Sequence, residues 1–508
     1  MHTLFDCGRR SVLLLALLVP CLASAVAGAG VQDGDLKDPK VAAQKFIDTE
    51  RDHSEVMNNL EYLSDMIGPR LTGSDRLKRA NDWTAEKMKA YGLENVHLES
   101  YTIPRGWERG KVEMTIVENG LTVEAAQSAW TPGTPGKITG PVIVFNPRTE
   151  ADLAAYKGKL KNAILLSSDT SNAPILPDAK PIVPIPALSL PGAENAAPAA
   201  PGGRRQGGGP GGGANFAAFR KARNEFLQTE GAAVVLTDSG KPHALLNMTG
   251  SWTSNATLPT LFVSHEYVAM MQRMLKRGVP VHATVEVTSK FVEGPITVYN
   301  TVGEIKGSEK PDEIVLLGAH LDSWDLGTGS TDNGTGSMAV LEAARIIKAL
   351  GVAPKRTMRF VLFTGEEEGL MGSKAYVEAH KAEMDKYDVV FIHDTGTGRV
   401  KGAWLQGRAE DKPMLEAQFG MLKDMKLLTD DLNLLPGKMN GTDHASFDDA
   451  GVPAFAFNQD PAEYSLTHHS QSDTFDKVRA DDLKQGVCAL AIMGYTAAQA
   501  PDRYPRKP

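Results

Sequence analysis

Residues 318–373 limit the possible folds of this chain more than any other stretch. An apolar run over 313–319 leads into Gly318-Ala319-His320-Leu321-Asp322-Ser323, and a second over 357–363 leads into Gly365-Glu366-Glu367-Glu368-Gly369. Between them the spacing predicts a helix over 337–350, with Val340, Ala343, Ala344, Ile347 and Leu350 on one face. Strand, helix and strand of these lengths form a parallel crossover unit whose helix must cover the sheet. The polar residues, with the turn Ser330-Thr331-Asp332-Asn333-Gly334, then collect at strand ends, where an open α/β sheet forms its ligand crevice.

The same rhythm continues through a strand at 388–392 that ends in His393-Asp394, a helix at 412–421, a strand at 452–458 and a helix at 480–497. Repeated alternation of this kind predicts an α/β domain with a mainly parallel sheet and helices on both faces. Upstream the texture differs. Residues 40–67 and 75–91 have helical periodicity, whereas 111–290 carry short β-rich runs at 112–117, 137–145, 162–166, 232–236 and 281–287, with one helix at 215–230. At 508 residues the chain exceeds what one core accommodates. The expected organisation is an N-terminal part of the main domain over 36–110, a β-rich insert over 111–290, and the remainder of the main domain over 291–508. Residues 191–213 are nearly all Pro, Gly, Ala and Arg, too poor in apolar surface to offset the entropy of ordering, and read as a loop.

The first 25 residues read as a secretory signal peptide: Arg9-Arg10, an apolar run over 11–22, then Ala23-Ser24-Ala25. The run is shorter than the roughly 20 residues a membrane span needs, and Pro20 directly before Cys21 argues against a lipoprotein. A secreted or periplasmic protein is expected after cleavage. Removing Asp6, Arg9 and Arg10 takes the formal charge from −8 to −9, so no basic surface points to nucleic acid. Only Cys488 of the three cysteines remains, which excludes an internal disulfide, a zinc ribbon and a thiol nucleophile.

The strand ends together offer His320, Asp332, Glu366, Glu367 and Asp394, with His468 and His469 near the C-terminus. Imidazoles and carboxylates without a thiolate suit catalytic zinc or a similar divalent ion. The acids are too many for one metal, and two ions would share a carboxylate, for which Asp332 is the natural bridge. Each piece alone has an ordinary reading: His320 as a hydrogen-bonded histidine, Asp332-Asn333-Gly334 as a turn, residues 366–368 as a solvated charge run. Their joint occurrence weighs against those readings, because consecutive acids closing an apolar strand need a positive partner and the motif contains no Arg or Lys.

Ala319-His320-Leu321-Asp322-Ser323, Asp332-Asn333-Gly334-Thr335-Gly336, Glu366-Glu367-x-Gly369-Leu370-x-Gly372-Ser373, Asp394, Thr442-Asp443-His444-x-x-Phe447 and His469-x-x-x-Asp473-Thr474 resemble the secreted di-zinc exopeptidases of the aminopeptidase Y and bacterial leucyl aminopeptidase family. The stretch His320-Leu321-Asp322-Ser323-Trp324-Asp325 is most similar to the plasma glutamate carboxypeptidase branch. The resemblance runs from about residue 50 to the C-terminus and makes the insert look like a protease-associated domain within a phosphorylase/hydrolase-like zinc-exopeptidase fold.

By that resemblance His320 and Asp394 bind one zinc, Glu367 and His469 bind the other, Asp332 bridges the two Zn2+ ions, and Glu366 is the general base. Gly369-Leu370-x-Gly372-Ser373 sets the register of the glutamates, and the step back from Asp473 selects His469 over His468. Asp322 and Asp473 stand behind the ligands, Asp322 by accepting the free N–H of His320. The implied activity is hydrolysis of short peptides from a free terminus, as aminopeptidase or dipeptidase, with a peptide substrate, no nucleic acid, no integral membrane span, and a homodimer as a possible assembly. Asp325, Asn440 and Asp443 are expected polar contacts to a peptide terminus. His468 stands where some relatives carry a tyrosine, so the oxyanion donor is left unassigned. Two other readings share the fold: a receptor-like binding protein without metals, and a cyclase or deacylase on the same site.

Overall fold

The structure, a computed structural model, describes residues 35–167, 212–428 and 432–506. The segment read as a signal peptide and nearly all of 191–213 lie outside the described residues.

Four strands, Arg356–Phe363, Lys310–His320, Tyr387–Ile392 and Ala454–Gln459, lie side by side and parallel at the centre of an eight-stranded sheet. Their apolar, β-branched and aromatic sequences suit strands covered on both faces. Alternation divides them. Val315, Leu317, Phe360, Leu362, Val389 and Phe391 join a core with helices Pro39–His53, Thr335–Ala349 and Ala480–Gln499. Ile314, Leu316, Val361, Phe363, Val390 and Ile392 face the opposite way, against Tyr376 of helix Met371–Ala379 and Phe447 of helix His444–Asp449.

The sheet is mixed, whereas the sequence pattern predicted a mainly parallel one. On one flank Glu94–Ile103 and Ile296–Ile305 pair antiparallel with each other, and the latter pairs antiparallel with Arg356–Phe363. On the other, Val400–Trp404 runs antiparallel to Ala454–Gln459. The outermost strand Glu94–Ile103 has only Ile103 fully buried, and a strand wetted in this way carries no apolar run from which to read it.

Between Ile103 and Ile296 the chain builds a seven-stranded sheet of its own, with helices Gly212–Glu230 and His265–Lys276. An antiparallel ribbon, Gly106–Glu108 with Lys290–Val292, joins the two sheets. No helix of the described residues is long and apolar enough to cross a membrane.

Candidate metal centre

Because the four central strands are parallel, their C-terminal ends fall on one edge of the sheet and deliver three acidic or basic side chains to one place. His320 closes its strand, Asp394 follows Ile392 by two residues, and Glu366 follows Phe363 by three. Gly365 makes the turn that lifts Glu366. Its φ of +69° favours glycine, and a Cβ there would lie 2.5 Å from the Tyr101 hydroxyl oxygen.

The imidazole Nε2 of His320 lies 3.1 Å from Asp394 Oδ1, 3.4 Å from Asp332 Oδ1 and 3.9 Å from Glu366 Oε2. Its Nδ1 is 3.1 Å from the Asp322 carbonyl oxygen and 3.5 Å from the Asp322 carboxylate. The backbone of Asp322 is therefore the closer hydrogen-bond partner, and the carboxylate accepts instead from Thr72 Oγ1 and Glu367 N.

A second group gathers on the other side of Asp332. Its Oδ2 lies 3.4 Å from His469 Nε2 and 3.7 Å from His468 Nε2, and His469 Nε2 lies 2.9 Å from Glu367 Oε2. The two imidazoles stack with ring centroids 3.7 Å apart. His320, Asp332 and Asp394 form one set of donor atoms within 4.8 Å of one another, and Asp332, His468 and His469 form another. On spacing to Asp332 alone the two imidazoles are near-equivalent. Contact with Glu367 and deeper burial, 12% side-chain exposure against 31%, distinguish His469.

Asp332 is held from its backbone. Asp473 accepts hydrogen bonds from Thr331 N at 2.6 Å and Asp332 N at 3.1 Å. Asn333, next in sequence, caps the following helix through Gly336 N and donates to the His393 carbonyl.

Beneath the site is a cation that the sequence pattern gave no reason to place there. Arg70 is fully buried, and its guanidinium donates to the carbonyls of Leu321, Gly68, Thr328 and Gly329. In sequence it follows Gly68-Pro69 and reads as the end of a helix; its role appears only when residues 321–329 fold over it. Burial pulls its pKa down to about 10, against the opposing charges of Asp473, Asp322, Asp332 and Glu367.

Carboxylates remain in excess. Burial, with Asp394, Glu367 and Asp443 nearby, pushes Glu366 well above the usual carboxylate range, and burial with Asp332 does the same to Glu367. Burial opposes charge on His320, but Asp394, Asp322 and Asp332 carry its pKa well above the ordinary value. Burial also acts against the Asp332 anion, yet hydrogen bonding to His320 and the charges of His468 and His469 hold its carboxyl far below the usual range. Asp332 Oδ2 and Glu367 Oε1 are buried without a hydrogen-bond partner.

These features fit divalent ions. Four ligands at 2.0–2.1 Å in a tetrahedron stand about 3.4 Å apart, the spacing at which Asp332 Oδ1 faces His320 Nε2 and Asp332 Oδ2 faces His469 Nε2. The orphaned Asp332 Oδ2, aimed at the imidazole nitrogens of His468 and His469, needs a cation between them. Of the expected terminus contacts, Asp325 is engaged elsewhere, in a two-pronged pair with Arg109 at 3.0 and 2.8 Å. Asp443 is buried beside the cluster. Glu368 is also turned inward, with both carboxylate oxygens buried.

Comparison with known proteins agrees with this chemistry. Residues 300–491 match the model described as Peptidase family M28. Carboxypeptidase Q of Mus musculus is 31% identical over 453 residues, covering 88% of this chain and 86% of that protein. Aminopeptidase YwaD of Bacillus subtilis (strain 168) is 26% identical over 288 residues, 55% of this chain and 60% of that one. Among solved structures, a Peptidase M28 precursor from Shewanella amazonensis SB2B superposes with a TM-score of 0.72 at 26% identity, over 94% of this chain and all of that one. The zinc aminopeptidase BSAP from Bacillus subtilis shares the fold, with a TM-score of 0.61 at 20% identity over 87% and 95% of the two chains.

Proposed function

The chain belongs to peptidase family M28 and is a metallo-exopeptidase, and from that premise we propose that it is an exported di-zinc enzyme that hydrolyses short peptides from a free terminus with Glu366 as general base. His320 and Asp394 hold one ion, Glu367 and His469 the other, and Asp332 lies between. The observation that carries this reading is the split of Asp332, whose two oxygens each lie 3.4 Å from the Nε2 of a different imidazole. When bound, zinc supplies Lewis acidity, which makes a water acidic near neutral pH and takes up charge from a carbonyl oxygen.

The protein's own groups do the rest. Glu366 lies 3.9 Å from His320 Nε2 and is buried, so its carboxylate is reserved for a proton arriving in the crevice. It takes that proton from the attacking water and returns it to the leaving amine. Asp473 and Arg70 fix the backbone that leads into Asp332, and Asp322 fixes the His320 tautomer. The excess of carboxylates favours a substrate's α-ammonium over an internal peptide bond. The seven-stranded unit is read as a protease-associated-like insert, supported by its position between two strands of the main sheet. Export rests on the N-terminal pattern of basic, apolar and small residues.

The test is Glu366→Gln on zinc-loaded enzyme. Peptide hydrolysis is expected to fall by about 10²–10⁴-fold while zinc content by elemental analysis is unchanged. Full retained hydrolysis rejects the general-base role, and purified protein devoid of metal with no activity on added zinc rejects the di-zinc reading.

A further inference from the structure

Helix Gly212–Glu230 of the insert turns Arg220, Arg223, Asn224 and Leu227 to one side, the i, i+3, i+4, i+7 spacing of a single helical face. Opposite that face are three strands of the seven-stranded sheet, Ile164–Leu166, Val234–Asp238 and Thr260–Val263, which run side by side and parallel. Helix and sheet do not close on each other. Between them, with residues 254–258 as a third wall, is a cavity of about 170 Å³. Asn224 Nδ2 donates to the Asn255 carbonyl at 3.3 Å and ties the helix to that wall. The cavity shares no residue with the metal centre.

Its lining divides by polarity. Leu227, Val235 and Leu258 supply an apolar floor and pack in one cluster with Phe145 and Leu165. Most of the other lining residues are polar, and none is acidic. Two are arginines one helical turn apart, Arg220 and Arg223. Arg223 Nε is buried without a hydrogen-bond partner, and among the described residues no carboxylate pairs with this side chain. Burial, then the neighbouring Arg220, draws its pKa down. Ser254, also in the lining, accepts through Oγ from Ala256 N at 3.4 Å, which leaves its own proton for another acceptor. The chain treats its other buried arginines differently. Arg70 is held by four backbone carbonyls, Arg356 by Glu313 and Asp388, and Arg408 by Asp448.

Guanidiniums on adjacent turns repel each other, and neither loses its proton near neutral pH. A buried donor without an acceptor is costly unless a ligand supplies one. An oxyanion supplies both the acceptor and the counter-charge, in the planar geometry that a guanidinium matches. The cavity is smaller than the roughly 300–1,000 Å³ of sites for drug-sized ligands, so it has room for an anionic head and a few carbons. The apolar floor favours an organic anion over an inorganic one. We propose that the insert binds a small organic oxyanion in this cavity, its carboxylate or phosphoryl head on Arg223 beside Arg220 and its short apolar body on Leu227, Val235 and Leu258.

The test is calorimetric titration of the zinc-loaded full chain with butyrate, butylphosphonate and butyramide. At least one of the two anions is expected to bind and butyramide not to. Butyrate alone assigns a carboxylate ligand, butylphosphonate alone a phosphoryl one, and both together the shared oxyanion chemistry. Arg223→Met weakens anion binding by about 10–100-fold, the loss of a charge-assisted hydrogen bond, and Arg223→Lys, which keeps the charge, loses less. Thermal melting separates this from misfolding: without anion the Tm of Arg223→Met equals or exceeds that of wild type, because an unpaired buried charge has been removed, and added anion raises the Tm of wild type only. An anion that binds Arg223→Met as tightly as wild type sits at the metals or elsewhere and overturns the proposal. So does butyramide binding as well as butyrate, or no response of wild type to either anion.

Discussion

Asp473→Asn probes how the shared carboxylate is held. In the native chain the two Asp473 oxygens accept from Thr331 N at 2.6 Å and Asp332 N at 3.1 Å, with the whole group buried. Asparagine keeps one acceptor and turns an NH2 towards the other backbone N–H. The change replaces one charge-assisted bond with a neutral one, about 1 kcal/mol, and leaves a buried donor facing a donor, a further 1–3 kcal/mol or so. Part of that 2–4 kcal/mol weakens the fold with or without metal. The remainder, roughly 1–2 kcal/mol, appears as metal affinity because the Asp332 backbone can no longer hold its carboxylate in register, and at 1.4 kcal/mol per decade this is about a 5- to 30-fold loss. On the di-zinc reading both ions should weaken together, since each would use one Asp332 oxygen. Competition of the apoprotein and a chromophoric chelator for zinc gives both stepwise constants. An unchanged pair of constants, or a loss confined to one ion, refutes the argument that Asp473 acts through a shared Asp332.

Glu50→Gln should change how stability depends on pH. Burial, then the neighbouring Glu342 carboxylate, raises the Glu50 pKa from 4.5 to about 8. A carboxyl whose pKa is higher in the folded state contributes stability fully below pH 4.5 and loses it as pH rises through about 8, so the variant should equal wild type near pH 4.5 and exceed it by about 2–4 kcal/mol above pH 8. Denaturant titrations at several pH values read this out, and a pH-independent difference would contradict it. The Arg109–Asp325 pair, with side chains 15% and 13% exposed, joins the insert side to the loop after His320. Either truncation alone should destabilise by about 2–4 kcal/mol because it leaves a largely buried charge unpaired, and a double-mutant cycle with Met and Asn should return a coupling of about 1–2 kcal/mol. Additive effects would mean the pair is incidental.

The central strands were legible because they are covered on both faces and therefore written as uninterrupted apolar runs, as in Val315-Leu316-Leu317 and Val389-Val390-Phe391. Their polar ends were legible for the same reason: His320, Asp394 and Glu366 interrupt those runs where a buried strand stops. The flanking strands were not. Glu94–Ile103 is wetted over most of its length, and three-residue strands such as Ala125–Gln127 are too short to show a period. Arg70 was hidden for another reason, since the carbonyls it holds at Leu321, Thr328 and Gly329 lie more than 200 positions away and nothing nearby in sequence marks it. Asp325 was illegible in the same way, an acid beside the motif whose charge is matched by Arg109, a partner more than 200 positions away.

The central claim is two ions on one shared carboxylate. Diffraction from zinc-loaded crystals, with data on either side of the zinc absorption edge, tests it directly. The account predicts two anomalous peaks about 3.5–4 Å apart, one against His320 and Asp394, the other against Glu367 and His469, with an Asp332 oxygen on each. A single peak, or a second peak held by His468 in place of His469 and Glu367, would contradict it.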